Sequence, residues 1–437
     1  MRRGANRRQF LQSSAVAVAG VGFYSSLQAA ESTSPNEKIR FACIGIGGKG
    51  ASDSGDAKSS GDVVAICDID DGRLNKDGES KFKGAKRYSD FRKLFDEVGK
   101  DIDAITVSTP DHTHAPAAAM GMRLGKHCFC QKPMTHDIYE ARVLSDIARE
   151  KKLATQMGNQ GTSENGLRKA VAIFETGVLG DVKEVHVWTN RPIWAQGGDR
   201  PAEAPVPEGV NWDLFLGTAP SRPYSKGYHP FAWRGWWDFG TGALGDMACH
   251  TFNMPYWAVG LADPTSVVAT SSGHNRDSYP KWSQIEFEFP ATDKRGAVKV
   301  MWYDGGKLPP KEVYDGPDKS GCVIVGSKGK MHGKGDYCGS VSMIGVDEPK
   351  VEWEKSPGHF KEYVEAIRGG KPAKSNFPDY AGKLTETILL GNLAIYAANE
   401  KEVPGKKIEW DAKTMTAKNA PEVQHIVKRE YRAGYVL

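Results

Sequence analysis

The sequence predicts a doubly wound parallel α/β domain followed by an α+β domain built on a large, open, mostly antiparallel sheet. Three observations predict it. A short apolar run, Ile39-Arg40-Phe41-Ala42-Cys43-Ile44, leads directly into Gly45-Ile46-Gly47-Gly48-Lys49-Gly50. Strand-like and helix-like runs then alternate as far as Glu150, the pattern of a parallel sheet with crossover helices. Farther on, segments 184–188, 284–289 and 298–302 alternate apolar with polar residues, the period-two signature of half-buried antiparallel strands.

The first element is an address. Asn6-Arg7-Arg8-Gln9-Phe10-Leu11 pairs two arginines with two apolar residues, a weakly apolar run follows, and Ala29-Ala30 offers a small-residue cleavage point. A charged n-region, a short apolar region and small residues describe a bacterial export signal over residues 1–30, and the paired arginines point to the Tat route and the periplasm. The apolar run is shorter than the roughly 20 residues a spanning helix needs. Lys and Arg outnumber Asp and Glu by 58 to 54, but Arg2, Arg3, Arg7 and Arg8 carry the whole excess. The remainder is balanced, which excludes a global field for nucleic acid or anionic lipid. A chain of 437 residues that is 39% hydrophobic and 26% charged is neither disordered nor polytopic. Its seven cysteines form no CxxC pair, which argues against a disulfide framework and fits folding before export.

Residues 37–157 read as a dinucleotide-binding (Rossmann) domain. Gly45, Gly47 and Gly50 stand in GxGxxG register, where glycine permits a tight turn, close approach to a pyrophosphate, and helix-on-strand packing. The second strand ends at Asp68, 18 residues past Gly50, where a ribose hydroxyl needs an acceptor. A carboxylate there favours NAD; Arg73 nearby keeps NADP as the less favoured choice. Segment 51–60 is small and polar, a poor amphipathic helix. The strand 103–108 opens into Thr109-Pro110-Asp111-His112-Thr113-His114, and the strand 127–130 into Gln131-Lys132-Pro133, so both loops fall on the ligand-binding edge. A well-patterned helix is expected near 139–150.

Residues 158–437 read as the substrate and oligomerisation domain. A loop dense in aromatics, including Tyr228, His229, Trp233 and Arg234, leads into Gly242-Ala243-Leu244-Gly245-Asp246-Met247-Ala248-Cys249-His250. Asp246 and His250 are four apart, so a helix presents both from one face.

This ordered set of leader, GxGxxG, Thr-Pro-x-x-x-His, Lys-Pro and Asp-x-x-x-His resembles the Gfo/Idh/MocA family of sugar and inositol oxidoreductases, over nearly the whole chain beyond Lys38. The resemblance implies a Rossmann domain, an open sheet that mediates dimers or tetramers, and NAD held by Gly45, Gly47, Gly50, Asp68, Thr109, Pro110, His114 and Lys132. It implies Lys132, Asp246 and His250 as catalytic residues. Gln131 departs from the glutamate usual before that lysine.

The chemistry is coherent on its own terms. Oxidising a secondary alcohol needs a base, for which His250 is suited, and a cation against the developing alkoxide, for which Lys132 is suited. Asp246 would orient His250 or bind a hydroxyl. Aromatic faces with Asn159, Tyr228, His229 and Arg234 suit the apolar faces and hydroxyl rim of a sugar, glycoside or cyclitol. Each residue also has a structural reading: Lys132 as a solvated strand end, His250 as a core histidine, the aromatic loop as core or interface. Asp111, His112 and His114 lack the further spacing of a metal site. A periplasmic enzyme would keep tightly bound NAD and reset it in situ. The alternatives are an NAD-dependent glycoside-cleaving enzyme acting through transient C3 oxidation and elimination, and a non-catalytic sugar sensor. The C-terminal stretch ending Arg432-Ala433-Gly434-Tyr435 reads as a subunit arm or a plain tail.

Overall fold

In the first sheet, β1 (Ile39–Ile44), β2 (Gly61–Cys67), β3 (Lys86–Tyr88), β4 (Ala104–Val107), β5 (His127–Cys130) and β6 (Thr155–Met157) run parallel in the order β3-β2-β1-β4-β5-β6. The computed structural model describes residues 38–398 and 400–437, so the export-leader reading of residues 1–30 lies outside the described part. Every residue of β4 and β6 is buried, as a parallel sheet covered on both faces requires. Strand order reverses between β1 and β4, which opens a crevice at their carboxyl ends.

The polar segment after GxGxxG does form a helix, Lys49–Ser60, and its buried stripe is Gly50, Asp53, Ser54 and Ala57. Small residues let it lie close on the sheet, so its weak amphipathicity reflects proximity and not disorder. Asp53 is buried there, and accepts hydrogen bonds from Lys49 Nζ (2.7 Å), Ser108 Oγ (2.7 Å) and Gln131 Nε2 (2.9 Å). The expected helix near 139–150 spans Ile138–Glu150, started by a capping box between Asp137 and Glu140.

The second sheet has nine strands among the described residues: β7 (Val182–Trp188), β8 (Ser266–Ser271), β9 (Ser283–Phe289), β10 (Val298–Tyr303), β11 (Gly321–Gly326), β12 (Lys330–Lys334), β13 (Ser340–Ile344), β14 (Ile408–Asp411) and β15 (Thr416–Ala417). Their order is β13-β12-β11-β7-β10-β9-β8-β14-β15. The pairing is antiparallel except between β7 and β10, where Val185 stands opposite Val300 in a parallel register. The long connection from β7 to β8 carries the aromatic loop and the helix Gly242–Thr251. That helix lies beside the helix Gly382–Ala397 on the sheet, where Leu244, Ala248 and Ile388 face Phe287, Val300 and Trp302.

One apolar core runs through both sheets. The helix His359–Ile367, far along the chain, packs back on the first sheet, with Phe360 against Phe41 and Phe129 at ring separations of 6.1 and 5.1 Å. Among the described residues, no helix is long and apolar enough to cross a membrane.

Arg429 ties the far end of the chain to this frame. Its Nη2 donates to His112 O (3.0 Å) and Thr218 Oγ1 (2.9 Å), its Nη1 to Asp238 O (3.2 Å), and its Nε lies 3.3 Å from the Asp137 carboxylate. Burial and the Asp137 charge together push the neighbouring Glu140 carboxyl up to about 7. Removing the cation leaves Asp137 buried without its main counter-charge. Arg429→Met is expected to cost about 3–5 kcal/mol, read as a lower denaturant midpoint at unchanged slope; a loss below about 1 kcal/mol, the range of an exposed pair, would refute the anchoring role.

Candidate active site

A cleft of about 570 Å³ follows the carboxyl edge of the first sheet and is roofed by loops of the second half. Its floor is the glycine turn. Gly45 has φ +78°, and a Cβ there would stand 2.6 Å from Ser108 O; a Cβ on Gly50 would stand 2.1 Å from Gly45 O. Only glycine lets the turn lie that close. Gly48 gives the helix Lys49–Ser60 no side-chain cap, and the Gly50 and Ala51 N–H groups close its first turn on Gly47 O (2.9 Å) and Gly48 O (3.2 Å). A dinucleotide fits this cradle.

Asp68 ends β2 at the cleft. Its carboxylate accepts the backbone N–H of Ile46 (3.1 Å) and Asp70 (3.2 Å) and pairs with Arg73 Nη1 at 3.2 Å. Arg73 reaches across Gly47, where a Cβ would collide with its guanidinium. The bare face of the second glycine is therefore covered by this chain's own arginine, which holds Asp68 in place.

The other end holds Lys132, Asp246 and His250. Lys132 Nζ donates to the Asp246 carboxylate and to the Asp246 carbonyl, both at 2.8 Å, and Arg234 Nε approaches the same carboxylate at 3.3 Å. Burial alone would push the Asp246 carboxyl up; Lys132 and Arg234 outweigh it and hold it at about 2. Asp246 therefore serves the two cations, and no hydrogen bond joins its carboxylate to the His250 imidazole, which corrects the expectation that it orients the ring. His250 is buried, with Nδ1 unpartnered and its ring edge-on to Tyr337 at 4.7 Å. Burial first, then the charge of Lys132, push the imidazole well below its usual 6.5. It is a neutral base at neutral pH.

The structure brings Lys132, Asp246, His250 and Arg234 together at one end, with Gly45, Gly47, Asp68, Thr109 and Pro110 along the cleft. It places four other expected residues differently. His114 faces two backbone carbonyls, Pro133 O at 2.9 Å and Thr109 O at 2.7 Å, so it braces the Thr109 loop against the Lys132 loop and does not touch the cleft. Asn159 is fully buried, its Oδ1 accepting from Ser375 Oγ at 2.5 Å. Tyr228 is buried in an aromatic cluster with Phe215, Trp236 and Phe239. His229 does line the cleft, but the charges acting on it are those of Arg73, Asp70 and Asp68, at the far end from Lys132. Sequence reasoning missed Asp111, Tyr337 and Tyr435 as lining residues. Asp111 stood inside the Thr-Pro loop and could have been found; it accepts from Thr241 Oγ1 at 2.7 Å. Among the described residues, no group of three or more His, Cys, Asp or Glu is placed to hold a metal.

Comparison with known proteins agrees with this geometry. The family model for the NAD-binding Rossmann fold of the Gfo/Idh/MocA oxidoreductases matches residues 15–159, and the model of the family's C-terminal alpha/beta domain matches residues 165–437. The chain belongs to this oxidoreductase family, and its first domain is an NAD-binding Rossmann domain. It is 24% identical over 198 residues to a levoglucosan dehydrogenase of Pseudarthrobacter phenanthrenivorans, covering 45% of this chain and 43% of that protein. It is 27% identical over 126 residues to an inositol 2-dehydrogenase of Salmonella paratyphi B, covering 29% of this chain and 37% of that protein. The matches thus span less than half the length of these curated relatives. The WlbA dehydrogenase of Chromobacterium violaceum, solved with NADH and UDP-GlcNAcA, shares the fold at a TM-score of 0.63 and 17% identity, covering 86% of this chain and 97% of that one.

The Asp246 value carries a pH consequence. Its folded-state value lies below the ordinary 3.8, so its stabilising share is present above that value and is lost as pH falls toward about 2. The stability gap between the natural chain and Asp246→Asn is expected to narrow by about 2 kcal/mol between about pH 4 and pH 2. Denaturant curves across that range check it, and a constant gap refutes the pairing.

Proposed function

We propose that this chain is a nicotinamide-dependent oxidoreductase acting on a secondary CH–OH group of a sugar, glycoside or cyclitol, with tightly bound NAD reset in situ. The carrying observation is the Lys132–Asp246 pair beside a neutral His250 at one end of the dinucleotide cleft. Bound NAD would be held by Gly45, Gly47, Gly50 and Asp68, and supplies the hydride acceptor. The chain's own residues do the rest. His250 takes the hydroxyl proton. An ammonium has three N–H bonds and two of those of Lys132 donate to Asp246, which leaves one for the substrate oxygen as negative charge develops there. Arg234, stacked 4.3 Å over Trp233, adds a fixed donor fork beside that oxygen. The names of the relatives, a levoglucosan dehydrogenase and an inositol 2-dehydrogenase, support the substrate class.

The export reading is part of the same proposal. All seven cysteines are buried and unpaired, which supports folding in a reducing compartment before passage to the periplasm. We also propose a homodimer or homotetramer.

Purified protein, denatured without added cofactor, is expected to release about one NAD per chain. The natural chain should reduce bound NAD with a member of a sugar and cyclitol panel, followed by nicotinamide absorbance, with no acid limb near pH 6.5 because His250 is already neutral. His250→Asn should keep the nucleotide and lose roughly 10²–10⁴-fold in rate. Unchanged turnover in that variant would remove His250 from the mechanism, and a protein that binds no nucleotide would remove the enzyme reading.

Fractionating cells that express the chain with residues 1–30 intact should find it in the periplasm, and sedimentation should give a dimeric or tetrameric mass. A cytoplasmic location refutes the export reading, and a monomeric mass refutes the assembly.

A further inference from the structure

The segment 428–437 belongs to neither sheet, yet it is fixed at three points. Arg429 is buried as described. Arg432 donates from its backbone to Thr218 O (3.1 Å) and from its guanidinium to Gly217 O (3.0 Å) and Asp213 O (2.7 Å). Gly434 O accepts from Arg92 Nη1 at 2.9 Å, and Arg92 is itself clamped by the Asp90 carboxylate. These bonds seat Tyr435 on the cleft wall, 7% exposed, with the Arg92 guanidinium 4.4 Å from its ring and Phe91 at 6.2 Å. The segment is thus folded against its own chain and is not a free tail.

Its position in the cleft is informative. Lys132 and His250 mark one end and the glycine turn the middle; Asp68 lies beyond the turn, hydrogen-bonded through its N–H to Tyr88 O at 3.1 Å, and the Ser89–Asp90–Phe91 loop that follows carries Tyr435. A dinucleotide with its pyrophosphate on the turn and its reactive ring at Lys132 must send its adenosine half toward Asp68 and Tyr435. We propose that Tyr435 forms an aromatic wall for the adenine and that segment 428–437 acts as an intramolecular strap slowing release of the dinucleotide. This rests on the cofactor reading above and supplies a structural cause for a resident cofactor. Stacking of a base on an aromatic face is enough for about a tenfold change in affinity.

Calorimetric titration of the nucleotide-free full chain with ADP-ribose and, separately, with nicotinamide mononucleotide tests it. Tyr435→Ala is expected to weaken ADP-ribose about tenfold, leave nicotinamide mononucleotide unchanged, and speed NAD release by a similar factor. Tyr435→Phe, which keeps the ring, should match the natural chain. Equal ADP-ribose affinity in the natural chain and Tyr435→Ala overturns the wall, and so does equal weakening of both probes, which marks general loosening. A natural chain that binds neither probe overturns the cofactor reading itself.

Discussion

The Lys132–Asp246 pair is the constraint on which the site depends. Lys132 comes from the loop after β5 of the first sheet, and Asp246 from a helix lodged against the second. At 2.8 Å the pair is a bond between the two halves of the fold, and it exists only if both halves are held to a few tenths of an ångström. The means are visible on each side. His114 ties Pro133 to Thr109, which stops the Lys132 loop from drifting along the sheet edge. On the other side, a Cβ at Gly391 would meet Leu244 at 2.5 Å, so the helix Gly382–Ala397 sits as close to the Asp246 helix as a bare backbone permits.

Electrostatics follow from that positioning. A buried carboxylate between two cations stays ionised, and an imidazole on the next turn of the same helix, beside the lysine, stays neutral. One helix therefore presents an anion and a neutral base four residues apart with opposite shifts. Their environments separate their roles: Asp246 fixes the position of Lys132 Nζ while His250 remains able to accept a proton.

The alternation of strands, GxGxxG, Asp68 and the two edge loops were legible because each is a local pattern with a local cause. The helix Lys49–Ser60 was harder to read, because its packing uses the smallness of Gly50, Ser54 and Ala57 and not an apolar stripe. The parallel β7–β10 pair could not be read, since period-two alternation carries no strand direction. Asn159, Tyr228 and His114 suit the chemistry by residue type, but their side chains are buried against partners that no local pattern reveals: Ser375 for Asn159, the aromatic cluster for Tyr228, the Pro133 and Thr109 carbonyls for His114. Tyr435 was invisible as a cleft residue for the same reason, as its seat is made by Arg92, more than three hundred positions earlier.

The aromatic loop shows how one composition divides between two tasks. Phe215, Tyr228, Trp236 and Phe239 bury one another in a cluster, with His112 bonded to Phe215 O (2.8 Å) and Phe239 O (3.1 Å). That cluster is scaffold. Trp233 belongs to the same buried cluster, and together with the exposed Phe231 it holds Arg234, whose guanidinium lies 4.3 Å from the Trp233 ring and 4.8 Å from the Phe231 ring while its Nε reaches Asp246. An arginine fixed on two aromatic faces presents its remaining donors in one orientation. The Phe231–Arg234 end of the loop therefore presents to the cleft a guanidinium whose aim is set by the chain's own rings and by Asp246.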